Sequence, residues 1–180
     1  MNCPVCKTRT LATHALEHNL ISWKCDDCGG QWINSFQFWK WLEEHQPNHE
    51  GVSPRTPDLT SNETKAVKTC PECNHILAKY KVGHSLPFSL DRCGHCGGIW
   101  FDKNEWEILQ GLNLHEEIHH IFSAPWQHRV RNEERARHLQ ALFAEKIGVQ
   151  DFEEIKRIKE WLNQHPHRDE LHQYLNNKDF

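Results

Sequence analysis

Apolar residues along this chain follow one pattern that occurs twice. Short runs with strand character come first: Leu20, Ile21, Ser22 and Trp23 in one block, then Ile76 to Val82 and Phe88 to Leu90 in the other, with Gly83 and His84 at the turn between them. Each block then passes a Gly-Gly pair, Gly29 and Gly30 or Gly97 and Gly98, and changes to a helical period. Asn34 and Asp102 suit helix N-caps, and Gln37 and Glu105, three residues on, can close capping boxes. Ile33 with Phe38, and Phe101 with Trp106, occupy the positions of a hydrophobic staple. At about 100° per residue the apolar residues of the first helix cannot all face one way. Phe38, Trp41 and Leu42 share a face, whereas Phe36 and Trp39 fall on another. The matching positions of the second block are the polar Asn104 and Glu107, so the extra aromatic pair belongs to the first copy alone.

Between the blocks, QPNHEGVSPRTPDLTSNET has three prolines and hardly any apolar residues, which predicts an extended linker and ribbons that need not pack together. Beyond Leu112 the period is helical. One helix is expected within LNLHEEIHHIF, and Ser123 with Pro125 starts another that runs to a C-cap at Gly148. Asp151 and Glu154 form a capping box for a third, carrying Phe152, Ile155, Ile158 and Leu162 at helical spacing. Pro166 breaks it before a last short helix with Leu171, Tyr174 and Leu175, and the whole reads as a small bundle. The expected organisation is a first module at 1–46, a linker at 47–67, a second module at 68–112 and a helical region at 113–180.

Modules of about 40 residues bury too little apolar surface to fold without a staple. The cysteines supply one. All eight lie before residue 97, as Cys3, Cys6, Cys25 and Cys28 and as Cys70, Cys73, Cys93 and Cys96. Two C-x-x-C pairs at this separation match a zinc ribbon, in which a hairpin brings two turns together around a tetrahedral ion. Two zinc ions per chain are therefore expected, and iron in a four-thiolate site is the alternative, which colour distinguishes. Disulfides are disfavoured because MNCPVCKTRT lacks the apolar stretch of a secretory signal, so a reducing cytoplasm is the expected location. No apolar run approaches the roughly 20 residues that cross a bilayer, and a soluble chain without membrane contact is expected.

The pattern C-P-x-C, spacer, C-x-x-C-G-G-x-W, with an acidic residue and a Glu after it, resembles the transcription factor IIB-type zinc ribbon family of small, mostly bacterial zinc-finger proteins. CPEC through CGHCGGIWFDKNE matches it closely, whereas in the first copy Asn34 and Gln37 replace the acidic pair. The resemblance covers both modules. It implies zinc at the eight cysteines. Together with the helical pattern beyond Leu112, the expected fold class is a small metal-stabilised α+β of two tandem zinc ribbons followed by a small α-helical region. The resemblance implies no catalytic activity.

Three further features bear on function. His115, Glu116 and His119 spell H-E-x-x-H, the zincin pattern, but in a His- and Glu-rich tail with no large cleft-forming domain a solvated helix face is the favoured reading. Arg129, Arg131, Arg135 and Arg137 form a basic cluster that Glu133 and Glu134 interrupt. The formal charge is -4, and each site of four thiolates and one divalent zinc carries -2, taking the loaded chain to about -8, which disfavours nonspecific nucleic-acid binding. A non-enzymatic protein-interaction module, with a protein partner or self-association through Phe36 and Trp39, is the expected function. A transcription-associated nucleic-acid binder is the alternative and a zinc hydrolase the third reading.

Overall fold

A computed structural model describes residues 1–17, 19–44, 61, 63–83 and 85–177. Two compact units divide the chain, Met1–Val130 and Arg131–Phe180. The first begins with the hairpin β1 (Ala12–Glu17) and β2 (Leu20–Lys24), followed by the short strand β3 (Gln31–Ile33) and helix α1 (Ser35–Glu44). The pattern then recurs as β4 (Leu77–Lys81), β5 (Ser89–Cys93), β6 (Ile99–Phe101) and α2 (Glu105–Gly111). Helix α3 (Ile118–Ile121) and the start of α4 (Ala124–Ile147) complete this unit. Strand β1 was not foreseen: its burial is slight, so its sequence carries no apolar alternation.

The two ribbons are not independent. All six strands form one antiparallel sheet in the order β1-β2-β3-β6-β5-β4. The joint is β3 against β6, with Gln31 opposite Phe101, Trp32 opposite Trp100 and Ile33 opposite Ile99. Trp32 and Trp100 are equivalent residues of the two copies, so the pairing is a two-fold relation within one chain, centred on that pair. This corrects the expectation of separate ribbons. Three-residue strands are too short for a periodicity signal, and only the joint reveals their purpose.

Alternation along β3 and β6 sorts the core into two layers. Trp32 and Trp100 turn toward the cysteines and pack with Leu11 and Leu77. Ile33, Ile99 and Phe101 turn the other way, onto Phe38 and Trp41 of α1 and Trp106, Ile108 and Leu109 of α2. Each tryptophan reaches across the joint. A Cβ at Gly30 would lie 2.3 Å from the Trp100 ring, and one at Gly98 would lie 2.1 Å from the Trp32 ring. The second glycine of each pair is thus required by the opposite ribbon's tryptophan, whereas Gly29 and Gly97 are required by their φ of +74° and +75°.

Most of the expected linker, residues 47–60 and 62, lies outside the described residues. Its end is held in place: the Thr64 N–H donates to Asp102 Oδ2 at 2.6 Å, and Lys79 pairs with Glu63 at 3.1 Å. His84, placed at a turn with Gly83, also lies outside the described residues; Gly83 has φ +82° and abuts Val130 of α4. Gln127 fastens the same stretch by taking the N–H of Lys81 and donating to its carbonyl, as a strand neighbour would.

In the second unit α4 continues, α5 (Val149–Gln164) follows Gly148, and α6 (Arg168–Asn176) follows the break at Pro166. Helix α5 opens two residues before Asp151, with Gly148 in the N-cap position, so Asp151 lies in its first turn and the expected capping box does not form. The expected bundle core does not close either: Leu162 is buried, but Ile155, Ile158, Trp161, Tyr174 and Leu175 remain exposed.

Candidate metal centres

Each cysteine quartet is assembled by two turns at one end of its hairpin. The N–H of Cys6 points at Cys3 Sγ from 3.3 Å, and those of Cys73 and Cys96 point at Cys70 and Cys93 from 3.4 and 3.5 Å. Such turns aim backbone amides at sulfur, which stabilises thiolate. In both quartets the four sulfurs lie within 4.8 Å of one another. Four thiolates at about 2.3 Å from a tetrahedral zinc would stand about 3.8 Å apart. The pairs Cys3–Cys28, Cys6–Cys25, Cys70–Cys96 and Cys73–Cys93 are 3.6, 3.9, 3.5 and 3.4 Å apart. No disulfide joins them. The two clusters fit two zinc ions, each enclosed by four protein ligands with no position left for a substrate.

Ligand chemistry is uneven within each site. Burial alone would raise the Cys93 thiol, but the amides of Cys96 and His95 and the neighbouring thiols hold it down at about 7. Cys25, its counterpart, is lowered by the same balance of burial against amides from Cys28 and Asp27. Burial drives Cys70 and Cys6 up to about 11, and Cys28 and Cys96 upward as well. Metal binding must therefore displace the protons that burial holds on Cys6, Cys28, Cys70 and Cys96.

Behind the second site lies a buried polar network that the sequence reading missed. Lys68, fully buried, donates to Asp91 at 2.5 Å and to Asp102 at 2.9 Å. Asp102 also accepts the Trp100 indole N–H at 2.7 Å. Its carboxylate is thereby occupied, so the expected N-cap contact from this side chain is not made; Asn104, in the left-handed region, precedes α2 instead. The reciprocal half of the box does form, since the Asp102 N–H donates to Glu105 Oε2 at 2.9 Å. Burial pushes Glu105 up to about 9, which leaves it protonated at neutral pH. In the first ribbon the cap is as expected: Asn34 Oδ1 accepts from the N–H of Gln37 at 2.8 Å.

The remaining candidates separate. Phe36 is 71% and Trp39 45% exposed, while Phe38 and Trp41 of the same helix are buried. His115 and His119 do not stand one turn apart on a helix, because α3 begins only at Ile118. His115 is buried against the rings of Trp41 and Trp106, and His119 tilts against Trp39 at 5.4 Å. Among the described residues, only the cysteine quartets bring three or more metal-ligating side chains together. Of the basic cluster, Arg129 lies over the Trp126 ring and Arg135 donates to Asn132. Among the described residues no helix is long and apolar enough to cross a membrane.

No curated protein and no solved structure matches the chain. A family does: residues 2–44 and 69–110 each match the family described as transcription factor zinc-finger, the TFIIB-type zinc ribbon. The two matched segments coincide with the two strand-and-helix repeats and contain one cysteine quartet each. Each ribbon of this chain thus matches the TFIIB-type zinc ribbon family, as one of two tandem copies.

Proposed function

We propose that the chain is a cytoplasmic protein-interaction module, adaptor or regulatory in role, whose zinc ions are structural and whose contact surface is on α1. One observation carries this reading: Phe36 and Trp39 stand exposed on a helix whose opposite face is fully used in the core. Grouped exposed aromatics favour a protein interface. Charge supports the same choice, since a loaded chain near -8 repels phosphate backbones.

Changing Phe36 and Trp39 together to Ser tests the reading. Association with a protein partner, or with a second copy, should be abolished while two zinc ions and the helical content remain. Unfolding or loss of the first zinc would make these side chains core and end the proposal. Submicromolar affinity for duplex DNA at physiological salt, in a retardation assay at two salt concentrations, would favour the nucleic-acid reading instead.

A further inference from the structure

Where α1 of the first ribbon meets the sheet of the second, a groove of about 220 Å³ opens. Arg92 of β5 and its cross-strand neighbour Ile99 of β6 form the floor. Trp39 and Ser35 of α1 form one wall, and His119 and Phe122 the other. The Arg92 guanidinium lies over the Phe122 ring, 5.0 Å from its centroid. Arg92 is half-buried, yet no carboxylate among the described residues pairs with it. Its sequence neighbour Asp91 points through the sheet to Lys68 and is committed there. Burial, with His120 beside it, holds His119 below the ordinary histidine range, so Arg92 is the groove's cation at neutral pH.

The internal two-fold provides a comparison. Gly97 of the second ribbon abuts Ser35, and Gly29 of the first abuts Lys103, the equivalent of Ser35, so the same junction exists twice. At the second junction the equivalents of Trp39, Arg92 and Ile99 are Glu107, Lys24 and Gln31. By that correspondence the second copy has a carboxylate at the helix position and an ammonium at the strand position. At the first, the cation remains, the carboxylate is replaced by an indole, and the floor becomes apolar.

We propose that this groove receives a short acidic segment of another protein, with an Asp or Glu carboxylate on Arg92 and an adjacent aliphatic or aromatic side chain against Trp39 and Ile99. The Phe122 ring beside it holds the guanidinium in place, and its planar fork suits a bidentate carboxylate contact. The apolar floor and the indole supply contact area for the neighbouring side chain. This deepens the reading of α1 as an interface and rests on it, because Trp39 belongs to both.

The test is selection of a random dodecapeptide phage library on the zinc-loaded full chain, followed by affinity measurement with synthetic peptides of the enriched sequences. Enriched peptides should contain Asp or Glu beside an aliphatic or aromatic residue. Replacing that carboxylate with its amide isostere should weaken binding about tenfold or more, and Arg92→Gln should weaken it to the same extent. Arg92→Lys, which retains the charge without the planar fork, should recover part of it. Each variant is accepted only with two zinc ions bound. Peptides that bind equally well as amide isosteres, or that ignore Arg92→Gln, overturn the proposal, as does a library with no acidic enrichment. If selected peptides lose binding in the Phe36, Trp39 double variant but not in Arg92→Gln, the α1 interface stands and the groove falls. If they respond to neither, both readings fall. Self-association of the chain through Trp39 that Arg92→Gln leaves intact would also assign the surface to a second copy and overturn the acidic segment.

Discussion

The two ribbons hold metal in the same way and differ in the polar residues behind it. In the first, Asn34 caps α1 and nothing more is asked of it. In the second, the equivalent Asp102 ties together the Lys68 ammonium, the Trp100 indole and the Thr64 amide. At the positions of Lys68 and Asp91 the first ribbon has Met1 and Trp23, which could not support a buried carboxylate. Three differences, Asn34 to Asp102, Met1 to Lys68 and Trp23 to Asp91, therefore separate a local cap from a charged core network. Duplicated ribbons can keep their ligands and still divide the work: one ribbon's helix presents aromatics outward while the other is fastened from inside.

Removing metal should have the largest effect and erase the comparison altogether. Structural zinc contributes on the order of 10–16 kcal/mol in small modules. Two colourless ions per chain should be released by a thiol-blocking reagent with unfolding of the first unit, followed by elemental analysis and circular dichroism. Cys93→Ser should lose its own ion and, through the shared Trp32 and Trp100 layer, weaken retention of the other. Iron, or a stoichiometry of one, would contradict the assignment.

Asp102→Ala should cost about 3–5 kcal/mol in denaturant unfolding, because it strips one partner from a buried ammonium. Asn34→Ala should cost only about 1 kcal/mol, the value of a cap. Equal costs would break the asymmetry between the ribbons.

Next come the glycines that face the opposite tryptophan. Gly30→Ala and Gly98→Ala should each lose about 1–3 kcal/mol by overpacking, and the loss should appear as a changed environment of the other ribbon's indole in fluorescence or NMR.

A further effect depends on pH. Glu105 binds its proton up to about 9 when folded and releases it near 4.5 when exposed, so stability from this group is full below 4.5 and falls as pH rises toward 9. Glu105→Gln retains an acceptor for the Asp102 N–H without that loss. The variant should gain on the wild type between pH 5 and 9, and a constant difference across that range would remove Glu105 as the cause.

Much of the ribbon was legible because its signals are local. Cysteine spacing gave both quartets, the Asn34 cap follows from residues three apart, and the 100° rule separated Phe36 and Trp39 from Phe38 and Trp41. What stayed hidden depends on contacts between copies. Trp32 and Trp100 follow the two Gly-Gly pairs at matching positions, but a sequence of three residues cannot show that its strand partner is its own repeat. Lys68 sits at the end of a polar stretch and gives no hint of burial until Asp91 and Asp102 close around it. Arg92 carries meaning only beside Lys24 and Glu107, once the two-fold is known.

Cleaving the chain between its ribbons tests the central claim, that the two copies are one structural unit centred on the Trp32 and Trp100 pair. A protease site placed within 47–60 of the zinc-loaded chain, cut and followed by native size-exclusion chromatography with zinc analysis, is the direct measurement. The account predicts that the two fragments elute together with both zinc ions bound. Elution as two separate fragments with one zinc each would contradict it.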